Sequence, residues 1–134
     1  VMITNRNLVN YCLDGRNLAT REYRLVGDVV SCSFASLSFD ASLQEECVPL
    51  SHGYTAVIAS EEDIENPLVL AKTLRENGVN LMFLTPSYVS NALDSTEFVS
   101  ALKQLKVLDM GAEAVSPELV LKLREAGIEA EVFL

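Results

Sequence analysis

Two stretches of this chain follow one plan. Residues 66–78 open with Asn66-Pro67, run through a Leu70, Ala71, Leu74 stripe and stop at Asn77-Gly78. Residues 116–127 open with Ser116-Pro117-Glu118, carry Leu119, Val120, Leu123 and Ala126 on one face and stop at Gly127. A capping side chain, a proline whose fixed φ suits the first helical position and a glycine able to take the left-handed conformation past the last turn define a helix at both ends. Around them lie short runs rich in β-branched and aromatic residues: 28–34, 54–60, 79–84, 106–110 and 128–134. These predict strands. Strand, helix and strand in succession require right-handed crossovers and a parallel sheet. The expected fold class is α/β, a three-layer sandwich with a mostly parallel sheet of about five strands flanked by helices.

Shorter helices are expected after Thr85-Pro86-Ser87 and Thr96-Glu97. At the N-terminus, Val1 to Thr4 reads as the tail of a strand entering a helix that is capped near Thr4 and carries Leu8, Val9, Tyr11 and Cys12. The chain begins inside an element and ends on a strand, so residues 1–134 are expected to form one α/β subdomain of something larger. With 134 residues and 49% hydrophobic content it can fill the core of one domain.

The net charge is −9, and Lys and Arg are scattered singly. That pattern lacks the basic footprint that nucleic acid or an anionic membrane demands. No apolar run reaches the ~20 residues that span a bilayer, and the first residues show neither a basic n-region nor a small-residue cleavage site, so a cytoplasmic location is expected. Cys12, Cys32 and Cys47 are too scattered for a disulfide framework or a metal clip and are expected as buried thiols. His52, the only histidine, is expected as a solvated cap at a helix end; no metal site is expected.

The segment Ser38-Phe39-Asp40-Ala41-Ser42-Leu43-Gln44-Glu45 sets the functional question. Ser42 and Glu45 form a Ser-x-x-Glu capping box, which predicts a helix from about residue 41 to 51 with Leu43, Cys47 and Leu50 buried and a distortion at Pro49. Asp40 then has two readings. It is an N-cap, or, since Ser42 is available to cap, it is a spare carboxylate at the carboxyl end of a parallel sheet, where α/β proteins bind ligands. The second would suit an ammonium group.

The order of VMITNRNLVNYC, SFDASLQEECVPL, GYTAVI, GVNLMFLTPSYV and LDMGAEAVSPELV resembles the middle of an amino-acid adenylation domain of nonribosomal peptide synthetases, in the adenylate-forming superfamily. The most specific pieces are FDAS, the Thr85-Pro86-Ser87 turn, and Gly111-Ala112-Glu113-Ala114 before Ser116-Pro117. The resemblance implies an enzyme that activates an amino acid with ATP and Mg²⁺ to an aminoacyl adenylate and passes it to a phosphopantetheine carrier domain. It implies that Asp40 pairs with the substrate's α-ammonium, that Ala41, Gln44, Phe83, Asp109 and Gly111 line the side-chain pocket, and that Gly111, Ala112 and Glu113 flank the nucleotide. No catalytic residue is implied within the chain.

Phe83, Gln44 and Asp109 together predict a small polar or cationic substrate side chain, because Asp109 buried without a partner would be costly. The alternative is that Asp109 is solvated at a strand end. Several parts of the family pattern fall outside the sequence: the Ser/Thr/Gly-rich phosphate loop before Val1, the Tyr-Gly-Pro-Thr-Glu segment after Leu134, the hinge and the C-terminal subdomain with its Lys. Asn5 also replaces the family's usual His. The expectation is therefore a fragment that is inactive alone, binds no cofactor by itself and has apolar faces open to self-association. Three alternatives stand beside it: a free-standing flavodoxin-like or receiver-like module, a fragment of an acyl, aryl or D-amino-acid ligase, and a structural remnant without a ligand.

Overall fold

The computed structural model describes residues 2–14 and 18–133, apart from the side chains of 18–20 and 133. Five strands, β1 (Val30–Ser33), β2 (Thr55–Ile58), β3 (Leu81–Leu84), β4 (Val107–Met110) and β5 (Glu131–Phe133), form one sheet in the order β2-β1-β3-β4-β5. Every pairing is parallel. Each strand falls inside an expected apolar run. Val1 and Leu134, which ended two of the expected strands, lie outside the described residues, and residues 2–4 are not a strand.

Alternation along the strands sends side chains into two cores. Met82, Leu84, Leu108 and Met110 join the larger one. It is covered by α5 (Pro67–Glu76), α6 (Pro86–Ala92), α7 (Thr96–Leu102) and α8 (Pro117–Glu125). Leu81 and Val107 face the other way, into a smaller core with Cys12, Tyr23, Val26 and Val48. These come from α1 (Asn5–Leu13), α2 (Leu18–Val26) and α3 (Val48–Ser51). Phe83 and Asp109 are paired across β3 and β4 and share this second face. The three-layer expectation holds.

The helix ends follow the sequence signals. Asn66, Thr85 and Ser116 accept hydrogen bonds from first-turn amides, and Gly78 and Gly127 have φ of 64° and 71°. Thr4 forms a capping box with Asn7, and Ser95 caps α7. Two helices carried weaker signals. The helix α4 (Glu61–Glu65) starts at a Ser60–Asp63 capping box. The inward face of α2 includes Glu22 as well as Tyr23 and Val26, so a carboxylate interrupts the stripe that would have marked it.

The segment after Asp40 departs from expectation. Ser42 makes no capping bond; it has helical φ and ψ, and its hydroxyl donates to the Phe39 carbonyl at 2.7 Å. Glu45 turns inward instead, accepting from the amides of Phe34 and Ala35 at 2.9 and 2.8 Å. Leu43–Cys47 forms a π-helical turn, and the buried side chain that follows it is Val48, not Cys47; Leu50 is 62% exposed. Pro49 explains the distortion. Its missing N–H would have bonded the Glu45 carbonyl in an α register or the Gln44 carbonyl in a π register. Tyr23 Oη donates to Gln44 O at 2.8 Å and Ser31 Oγ to Glu45 O at 3.2 Å, supplying both orphaned acceptors from outside. All three cysteines are free thiols, with Cys47 only partly buried, and His52 is an exposed cap. No helix among the described residues is long and apolar enough to cross a membrane.

Candidate functional site

The strand order makes β1 and β3 neighbours although β2 lies between them in sequence. Connections leave β1 and β3 in opposite directions across the sheet, so their carboxyl ends open a crevice, the usual ligand position in such sheets. A cleft of about 590 Å³ is found at this end of the sheet. Asp40, Ala41, Leu43 and Gln44 line it from the segment after β1, Phe83 from β3, Ala112 from the turn after β4, and Tyr11 and Leu8 from α1. Four of the expected pocket residues and one expected nucleotide neighbour are thereby brought together.

Asp40 is exposed, and its carboxylate receives no hydrogen bond from the described residues; only its backbone carbonyl is used, by the Leu43 amide at 3.0 Å. The N-cap reading of Asp40 is not met. Beside it, Tyr11 donates its hydroxyl to Gln44 Oε1 at 3.1 Å. Burial, with Glu22, Asp40 and Asp109 nearby, pushes the Tyr11 hydroxyl up to about 12, which keeps it a donor.

Asp109 does not line the cleft. It lies behind Gln44, whose Nε2 donates to Asp109 Oδ2 at 3.3 Å and to Glu22 Oε2 at 3.4 Å. Glu22 is 2% exposed and hydrogen-bonds the Asp109 carboxyl. Burial first, then the charge of Asp109 and their shared hydrogen bond, push Glu22 up to about 8; burial also raises Asp109. Two carboxyls this close and this desolvated resist ionising together. Asp109 is thus partly buried and partnered. Sequence reasoning missed Glu22 because a Glu on a short helix reads as a solvated face.

Gly111 lies outside the lining but shapes it. A Cβ there would meet the Phe83 ring at 3.1 Å, so the missing side chain is what lets the ring take its place. Ala112 has φ 66°, a left-handed conformation uncommon for a residue with a Cβ. Glu113 is turned away from the cleft, bonding the Ser87 amide at 3.0 Å and its hydroxyl at 2.9 Å. That pair ties the turn after β4 to the start of α6. Among the described residues no group of three or more His, Cys, Asp or Glu could hold a metal.

Comparison with known proteins places this geometry in a family. The chain is 27% identical over 132 residues to gramicidin S synthase 2 of Brevibacillus brevis, covering 98% of the chain and 3% of that protein. It is 30% identical over 128 residues to tyrocidine synthase 3 of Brevibacillus parabrevis, covering 93% of the chain and 2% of that protein. The chain thus spans only a few hundredths of these relatives. Among solved structures, a nonribosomal peptide synthetase protein containing adenylation and PCP domains, bound to a vinylsulfonamide inhibitor, superposes with TM-score 0.76 at 22% identity, over 93% of this chain and 20% of that one. The N-terminal subdomain of Klebsiella oxytoca NpsA, in complex with 3-hydroxyanthranilyl-AMSN, gives 0.69 at 22%, over 78% and 26%. These likenesses show the same fold. The model of the AMP-binding enzyme family matches residues 1–133, and the chain belongs to that family.

Proposed function

We propose that the protein containing this chain activates an amino acid with ATP to an aminoacyl adenylate, releasing pyrophosphate, and passes the acyl group to the phosphopantetheine thiol of a carrier domain in nonribosomal peptide synthesis. The observation that carries this reading is Asp40, a carboxylate with no donor among the described residues, at a cleft beside the carboxyl ends of β1 and β3. A substrate α-ammonium would supply the missing partner. The synthetase names of the relatives and the adenylation and PCP domains of one structural neighbour support the same activity and the carrier partner.

Within this reading, Ala41, Gln44 and Phe83 bound the side-chain pocket, Gly111 and Asp109 support it from behind, and Ala112 approaches the adenylate. Glu113 acts on that turn through Ser87. The described residues of the cleft lining include no Lys or Arg, so they do not fit the triphosphate of ATP or its Mg²⁺, and no step of phosphoryl chemistry is assigned to them. A receiver-like role is disfavoured because Asp109 is engaged by Glu22 and Gln44 rather than open to a phosphodonor.

The test is amino-acid-dependent exchange of labelled pyrophosphate into ATP by the intact protein. Asp40→Ala is expected to lower kcat/KM for the amino acid on the order of 100-fold, the effect of stranding a charged partner. Exchange driven by fatty or aryl acids, indifferent to Asp40, would replace the amino acid by an acyl or aryl substrate.

A further inference from the structure

Gln44 has no unused donor or acceptor in the pair-facing direction: both Nε2 bonds go to Glu22 and Asp109, and Oε1 is held by Tyr11. The two bonds to the carboxyls, at 3.4 and 3.3 Å, exceed the 2.7–3.2 Å range of good N–H···O bonds. A neutral carboxamide therefore stands, loosely, between the cleft and an acid pair of which Glu22 is buried and Asp109 partly buried. Among the described residues the lining adds the carboxylates of Asp14 and Asp40 and no cationic side chain. Phe83 contributes an aromatic wall beside Gln44.

Resting on the adenylation reading, we propose that Glu22 is a specificity-positioning residue: through Asp109 and Gln44 it sets negative charge at the side-chain end of the pocket, which selects an amino acid ending in an amino or guanidinium group. The two carboxyls, which resist ionising together, present negative charge that a cationic head group neutralises. The head group takes the place of Gln44 Nε2, replacing two long bonds from a neutral donor by shorter ones from a charged donor. Its alkyl stem or guanidinium plane packs on the Phe83 ring. A substrate with an anionic side chain meets repulsion from the acid pair.

The experiment uses the intact protein in the pyrophosphate-exchange assay with ornithine, lysine and arginine, their neutral near-isosteres norleucine and citrulline, and leucine, phenylalanine and glutamate. A cationic substrate is expected to exceed its neutral counterpart in kcat/KM by about tenfold or more. Glu22→Gln and Asp109→Asn, each close to isosteric, are expected to shrink that ratio by about tenfold, and Glu22→Asp to keep part of it. Loss shared equally by all substrates would reduce Glu22 to a structural role and overturn the inference. Robust exchange confined to leucine, phenylalanine or glutamate would overturn it while leaving the adenylation reading intact. Absence of exchange with every amino acid would remove both.

Discussion

In an unfolded chain Glu22 titrates near its ordinary 4.5, whereas in the fold burial and Asp109 push it up to about 8. Below the lower value it is protonated in both states and its contribution to stability is fully present. As pH rises through the folded value, the unfolded chain has already released the proton and that contribution is lost. Asp109, also raised, acts in the same direction. The expected outcome is an unfolding midpoint that falls between about pH 5 and pH 8, with the slope flattened by Glu22→Gln, measured by urea titration across pH. At this scale the sequence was informative where chemistry and motif coincide. Asp40, Ala41, Gln44 and Phe83 were legible and meet in one cleft. Glu22 was not, since only the tertiary approach of α2 to β4 turns a surface-type residue into half of an acid pair.

The π-helical turn is held by groups outside it. Tyr23 Oη and Ser31 Oγ serve the carbonyls that Pro49 leaves without donors. Tyr23→Phe is expected to cost about 1–3 kcal/mol, the penalty for a buried acceptor left unpaired, read as a shift in the unfolding midpoint. An unchanged midpoint would show that water or another donor serves Gln44 O. The same turn shows why Ser42-x-x-Glu45 misled. A capping box needs an extended residue at its start, but the hydrogen bond from Ser42 N to Phe39 O at 3.2 Å already places Ser42 inside the turn. Glu45 is then drawn to the two amides following β1. Helices with both a cap and a terminal glycine, α5 and α8, were legible throughout because their signals are local.

At the scale of the whole molecule, the parallel order of five strands followed from alternating element types, and the strand order supplied the cleft. The surface carries large apolar side chains, among them Leu37, Phe39, Leu50 and Ile58. The 134-residue chain by itself is expected to show no amino-acid-dependent pyrophosphate exchange, because the described residues of its cleft lining include no cation for the phosphates, and to self-associate through these side chains. Exchange assays and sedimentation of the purified chain check both; turnover from the chain alone would require phosphate-binding groups elsewhere in it. The turn at Leu43–Cys47 has one more consequence, for anyone exchanging pockets between relatives. A π turn holds one residue more than a helix counts for, so Gln44 keeps its place on the cleft while the inward position beyond it moves from Cys47 to Val48. An alignment against a relative with an unbroken helix, drawn without a gap there, will match every residue to a letter and those after the turn to the wrong wall.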